Sequence, residues 1–194
     1  EIVGSTATIV ATIFRENQIP IPPALAGLLL GAVLSDTMDF HSPTTTDRDI
    51  QTANILAAIA DLDIDTFAEE MFRITSNQEK MSFSDMLNQD LKIYDLFSCK
   101  LSISQVIVPS AKETRTDSRE ILAALDRFAQ KKRIDLAVLV FTSILENGSV
   151  IYAGGSRAPW AAEAFPDKNG LEHSFQENLL SRKQQILPAL TGVI

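Results

Sequence analysis

Apolar positions recur at helical spacing through the first third of the chain and switch to alternation or unbroken apolar runs further on. From Ala7 to Arg15 the pattern predicts a helix, entered from a strand end at Val3-Gly4 and capped by Ser5 or Thr6. Pro22 and Pro23 suit a first helical turn. The stretch Ala24 to Leu34 is apolar on nearly every face, which predicts a central helix buried all round and ending at Ser35-Asp36-Thr37. A loop through Ser42-Pro43-Thr44 leads to a third helix, capped near Thr46 and running from Asp47 to Ala60. Asp63 or Asp65 then opens a short helix through Phe72, and the polar run Thr75 to Lys80 reads as a linker.

Beyond the linker the period changes. Ser82 or Ser84 caps a short helix, and Leu91 to Phe97 and Lys100 to Val108 read as two strands joined by a hairpin at Ser98-Cys99. Ile121, Leu122, Leu125 and Phe128 give Ser118 to Lys131 helical spacing. Ile134 to Leu145 is a strand too apolar for a sheet edge, and Glu146-Asn147-Gly148-Ser149 supplies a turn before the strand Val150 to Ala153. The expected class is α/β, a largely helical segment followed by a mixed sheet with helices. No internal repeat, heptad run or low-complexity segment is present.

Composition bounds this picture. With 194 residues, 45% of them hydrophobic, the chain can build one large core or two small ones. Pro20, Pro22, Pro23 and Asp36 interrupt the most apolar region, so no stretch reaches the roughly 18 to 20 residues of a membrane span and a soluble protein is expected. The chain begins at Glu1 without an initiator Met or an apolar leader, and reads as an excised or processed piece. A single cysteine, Cys99, excludes an internal disulfide and a thiolate cluster and fits the cytoplasm.

The net charge of −8 argues against broad nucleic-acid binding. Its distribution is uneven: residues 1–76 hold 11 acidic against 3 basic side chains, while 77–194 hold 14 of each. That asymmetry suggests two domains, one facing cations and the other anions.

The basic pair in Ser181-Arg182-Lys183-Gln184 is the strongest chemical signal. Arginine forks onto two oxygens of a phosphate and lysine adds a point charge, a combination suited to a polyanion, although a solvated edge is the ordinary alternative. Lys92 reads by itself as an exposed sheet lysine. Asp36, at the end of the most apolar helix, is costly to bury without a partner, so it either meets a metal or caps the following turn. Asp39 and His41 extend it to Asp-x-x-Asp-x-His, too few ligands for a divalent ion that takes about six. His173 reads as a surface residue. Gly154-Gly155-Ser156 lacks the spacing and lysine of a phosphate loop and reads as a turn, and Ser149 and Cys99 have no evident base.

In order along the chain, Val3-Gly4-Ser5-Thr6-Ala7-Thr8-Ile9-Val10, then Ser35-Asp36-Thr37 with Phe40 and Ser42-Pro43-Thr44, then Ser181-Arg182-Lys183-Gln184 before Pro188 resemble the family II, manganese-dependent inorganic pyrophosphatases of the DHH phosphoesterase superfamily. Lys92 and Ile144-Leu145-Glu146-Asn147 extend the likeness almost end to end. The resemblance implies that 1–74 is the C-terminal part of a DHH metal-binding domain, 75–80 a hinge, and 81–194 the DHH-associated substrate-binding domain. The family's earlier metal-binding segments, Asp-His-His among them, have no counterpart here.

The same resemblance implies that Asp36 ligates one of two manganese or cobalt ions, with magnesium accompanying the substrate, and that Lys92, Arg182 and Lys183 hold pyrophosphate. Arg182 and Lys183 would stabilise the transition state of its hydrolysis to two phosphates. A homodimer in the complete enzyme and an inactive isolated fragment are further implications. An exopolyphosphatase or other phosphoesterase of the superfamily, or a non-catalytic phosphate-binding module, are the competing expectations. Gln185, Asp39 and His41 depart from the family's usual residues.

Overall fold

The computed structural model describes residues 2–75, 82–96, 99–112, 117–166 and 175–194. The chain divides into two compact units, Glu1–Thr75 and Ser76–Ile194. The expected hinge, 75–80, lies outside the described residues apart from Thr75 at its edge.

The first unit is four helices. Helix α1, Thr6–Glu16, begins at Ser5, whose Oγ accepts from the Ala7 amide as expected of a capping serine. Helix α2, Pro23–Thr37, carries Pro at its first position and ends on Met38 in the left-handed region. The expectation that α2 is buried all round is corrected: Ala26, Leu30, Val33 and Leu34 are sealed, but Leu28 is 73% exposed. Its apolar residues cover every face, while its neighbours α1, α3 (Asp47–Ala60) and α4 (Ile64–Thr75) cover only part of it. Met38, Asp39 and Phe40 all have φ between 51° and 64°. This left-handed run turns the chain back, so that the Ser42 amide donates to the Thr37 carbonyl at 2.8 Å.

Buried Asp49, in the first turn of α3, organises this unit. Oδ2 accepts from the amides of Gly4 (2.8 Å) and Thr46 (2.9 Å) and from the Thr46 hydroxyl (2.6 Å). Oδ1 accepts from the Ser5 amide (3.2 Å) and the Thr8 hydroxyl (2.5 Å). Burial alone would raise the pKa of Asp49, but hydrogen bonds from the Thr46 and Thr8 hydroxyls and the Gly4 and Thr46 amides outweigh it and lower the pKa to about 2. The carboxylate thereby ties the start of α1 to the start of α3. Gly4 makes the approach possible, because a Cβ there would lie 2.9 Å from Thr37 Cγ2 and 3.1 Å from the Thr44 carbonyl oxygen.

The second unit is a five-stranded sheet in sequential order β1 (Lys92–Leu96), β2 (Cys99–Ile107), β3 (Leu136–Ser143), β4 (Gly148–Gly154) and β5 (Phe175–Glu177). Strands β2 and β3 are parallel, connected through α6 (Ser118–Lys132), and the other neighbours are antiparallel. All eight residues of β3 are buried, which is why its sequence shows no alternation. Ala137, Leu139 and Phe141 face α6 and α5 (Phe83–Asn88), whereas Leu136, Val138 and Val140 face the opposite layer. That layer contains α7 (Ala158–Ala164), a π-helical turn at Arg182–Ile186 and its continuation α8 (Leu187–Thr191).

Strands β1 and β2, α6, β3 and β4 follow the sequence expectations to within two residues at most ends, while of the expected turn Ser98 lies outside the described residues and Cys99 already opens β2. Strand β5, α7 and the π turn carry no periodic signal long enough to announce them. The expected turn at Gly154-Gly155-Ser156 is present, with Gly155 at φ 97°. Gly154 also lets α6 lie against β4, since a Cβ there would meet Leu125 Cβ at 2.7 Å and the Asp126 amide nitrogen at 2.9 Å.

Gly154→Ala is expected to destabilise the protein by about 2 kcal/mol through overpacking, read by urea denaturation. Asp49→Asn, which turns an amide donor toward the donors Asp49 satisfies, should cost about 3 kcal/mol in the same measurement. The folded pKa of Asp49 lies below the ordinary 3.8, so its contribution to stability is complete above that value and is lost as pH falls through about 2. An acid titration of stability should therefore decline over that window in the native protein and decline less in Asp49→Asn.

Candidate functional site

The structure places the four sequence-derived residues on two units. Asp36 belongs to the first, in the last turn of α2, and its position is exposed rather than buried. The sealed end of an apolar helix expected for it is therefore corrected. Its Oδ2 accepts the Ser5 hydroxyl proton at 2.6 Å, and among the described residues Oδ1 takes part in no hydrogen bond. Asp36 thus offers a free, hard oxygen of the type manganese or magnesium accepts.

No group of three or more His, Cys, Asp or Glu side chains that could hold an ion occurs among the described residues. Asp36 therefore has, among the described residues, no partners that would complete a divalent site. Asp39 and His41 do not complete it. His41 Nδ1 lies 3.3 Å from the Met38 carbonyl. Burial raises the Asp39 pKa, with Asp65 adding to the rise and His41 opposing it.

In the second unit Lys92 opens β1 and pairs in register with Ile103 of β2, its side chain exposed. Arg182 and Lys183 are the first residues of the π turn. Arg182 Nη1 forms a 2.8 Å ion pair with Asp90 Oδ2, Nη2 donates to Asp90 Oδ1 at 3.2 Å, and Nη1 also donates to the Asp90 carbonyl. Asp90 lies two residues before Lys92, so this contact brings the π turn to the start of β1 although 92 positions separate Arg182 from Asp90 in the chain. Its side chain is 53% exposed and that of Arg182 only 15%. A two-point contact of this kind holds the guanidinium plane in one orientation. Lys183 is exposed.

A buried polar chain roots the segment that carries Arg182. Gln105 Nε2 donates to Thr142 Oγ1 at 2.9 Å and to the Leu180 carbonyl at 2.8 Å. Ser149 Oγ donates to the Leu179 carbonyl at 2.5 Å, so the Thr142 hydroxyl must supply the proton in the 2.8 Å Thr142–Ser149 contact. Strands β2, β3 and β4 in this way grip two successive carbonyls ahead of the π turn. Gln185 closes the loop from its other side: Oε1 accepts the Leu180 and Ser181 amides at 3.0 and 2.8 Å, and Nε2 donates to the Asn178 carbonyl at 2.6 Å. Ser181 caps the turn by accepting the Gln184 amide. π turns of this kind are enriched at functional sites because the widened backbone redirects side chains.

Asp90, Gln105, Thr142 and Gln185 were not singled out for these roles by sequence reasoning. A buried glutamine in the apolar strand Lys100 to Val108 was the available signal, since such a group must find partners. His173 lies outside the described residues, and Cys99 is buried.

Comparison with known proteins adds the family. The DHHA2 domain model matches residues 69–193. Over all 194 residues the chain is 34% identical to a manganese-dependent inorganic pyrophosphatase of Bacillus subtilis and spans 63% of that protein. It is 36% identical to a cobalt-dependent inorganic pyrophosphatase of Clostridium perfringens, of which it spans 35%. A crystal structure from Methanococcus jannaschii assigned to the family II inorganic pyrophosphatases is 34% identical, with a TM-score of 0.78, covering 100% of this chain and 66% of that one. With the family model covering well over half of its length, the chain belongs to the DHHA2 domain family.

Proposed function

We propose that the chain is the larger part of a family II inorganic pyrophosphatase that hydrolyses pyrophosphate to two phosphates in the cytoplasm, the complete enzyme being a homodimer. Asp36 supplies one ligand to manganese or cobalt, and Lys92, Arg182 and Lys183 bind the phosphate oxygens. The observation that carries this is the Arg182–Asp90 ion pair, which draws an arginine from the π turn to the backbone beside Lys92. Similarity along the whole chain to pyrophosphatases named for manganese and cobalt supports the metal, and magnesium enters with the substrate.

Divalent ions bound at such a site supply a water of lowered pKa and neutralise charge on the attacked phosphoryl group. The chain's own contribution is electrostatic. Arg182, its plane held by Asp90, presents its remaining N–H donors to the oxygens that gain charge in the transition state. Lys183 and Lys92 add mobile point charges that follow the leaving phosphate. Asp90 offsets one of the three positive charges, which limits how tightly the product is retained.

The unit containing Asp36 also leaves apolar surface open. Among the described residues, Ile2, Ile13, Ile19, Leu28, Ile50, Ile55, Leu62 and Ile74 are its exposed large hydrophobics. Such a surface suits contact with the remainder of a longer protein or with a second copy.

In the complete enzyme Arg182→Ala is expected to lower kcat/KM by roughly 100-fold, since one transition-state donor contributes on that scale. Turnover within twofold of the native enzyme would rule the assigned role out. The 194-residue chain alone should release no phosphate above a metal-free blank when given manganese and pyrophosphate, and hydrolysis of tripolyphosphate in preference to pyrophosphate by the complete enzyme would instead identify an exopolyphosphatase. Gln105→Leu leaves the Leu180 carbonyl without its donor and should destabilise the protein by about 2 kcal/mol in urea, while raising KM for pyrophosphate.

A further inference from the structure

The Gly4-Ser5-Thr6 run is more tightly specified than a helix start requires. Ser5 is 1% exposed, and its hydroxyl has a single proton and two lone pairs to distribute. The Ala7 amide donates to that oxygen at 3.2 Å, leaving the proton for Asp36 Oδ2 at 2.6 Å. The direction is dictated by chemistry, because an ionised carboxylate can only accept.

The serine is itself held in place. Asp49 takes the Ser5 amide through Oδ1 and the Gly4 amide through Oδ2, and Gly4 sits against Thr37, the residue after Asp36, where a side chain would collide. Thr37 is fully buried and its hydroxyl donates to the Val33 carbonyl at 2.7 Å. Both ends of the Ser5–Asp36 contact therefore stand on backbone that is locked by buried groups.

We propose that Ser5 is a positioning residue for Asp36: its hydroxyl fixes the carboxylate rotamer so that Oδ1 is the oxygen presented to a divalent cation, with Asp49 holding Ser5 at the required place. The inference rests on Asp36 being a metal ligand. An exposed aspartate at a helix end is free to rotate, and a ligand fixed by a hydrogen bond to its other oxygen loses less freedom when the ion binds. Ser5 also caps α1, and that purely structural duty must be separated from the proposed one. Glycine is nearly as good as serine at a cap but carries no hydroxyl, so Ser5→Gly removes the donation while largely sparing the helix.

Manganese affinity of the complete protein, measured by calorimetry and by electron paramagnetic resonance of free Mn2+, is the readout. Ser5→Ala and Ser5→Gly are expected to weaken binding by about 10- to 100-fold, the range typical when a ligand loses its supporting hydrogen bond. Melting of the metal-free Ser5→Gly protein should stay close to that of the native one. If Ser5→Gly binds within about twofold of the native affinity while Asp36→Ala has lost it, the inference is overturned and Asp36 stands as a ligand without it. Native affinity in Asp36→Ala would remove the metal-ligand assignment and the inference together.

Discussion

A hydrogen-bonding group withdrawn from water must find partners inside the protein, and two side chains in this chain bear that constraint most heavily. Asp49 is sealed in the first unit with five donors around it, and Gln105 is sealed in the second with two acceptors at its amide nitrogen. Each would be strongly destabilising if unpaired. Because their partners come from segments far apart in the chain, satisfying them also fixes where those segments lie. Neither interaction is large as a net term, but the cost of breaking it is, and that asymmetry gives the geometry its rigidity.

The chemistry of each unit grows from these anchors. In the first, Asp49 gathers the amides ahead of α1 and the threonine that precedes α3, and the serine so placed meets Asp36. In the second, the chain of donors from Gln105 through Thr142 and Ser149 ends on the carbonyls of Leu179 and Leu180, immediately before the residues that carry positive charge. Glu146 performs a comparable task beyond β2. Burial opposes its ionisation, but the Ser110 hydroxyl and the Lys112 and Ala111 amides bind the carboxylate and lower its pKa. These acidic residues thus serve as acceptors for backbone and hydroxyl donors, while Arg182 is met by Asp90, an acid of its own unit.

Much of the architecture was visible in the order of residues because it depends on local terms. Ser5, Thr46 and Ser82 begin helices where a short oxygen side chain precedes apolar spacing. The paired strands β1 and β2 and the fully buried, largely apolar β3 were likewise legible, since period and side-chain type report on pleat and burial directly. The misjudgement of α2 has a plain cause: uniform apolarity cannot say which face its neighbours will cover. Leu28 points to water although nothing in its sequence environment distinguishes it from Leu30. Asp36 was found through motif spacing, yet its actual surroundings, an exposed helix end bonded to Ser5, depend on a contact across 31 positions.

The chain by itself determined the kinds of element, their caps, the central place of β3 and the presence of Asp36, Lys92, Arg182 and Lys183, because propensity, periodicity and residue chemistry act over a few neighbours. Tertiary structure alone decided that Arg182 meets Asp90, that Gln105 holds the loop before the π turn, and that Ser5 is aimed at Asp36. Hydrogen bonds between distant segments are short and directional, so whether two groups meet is a property of packed backbones and is written in no single stretch of residues.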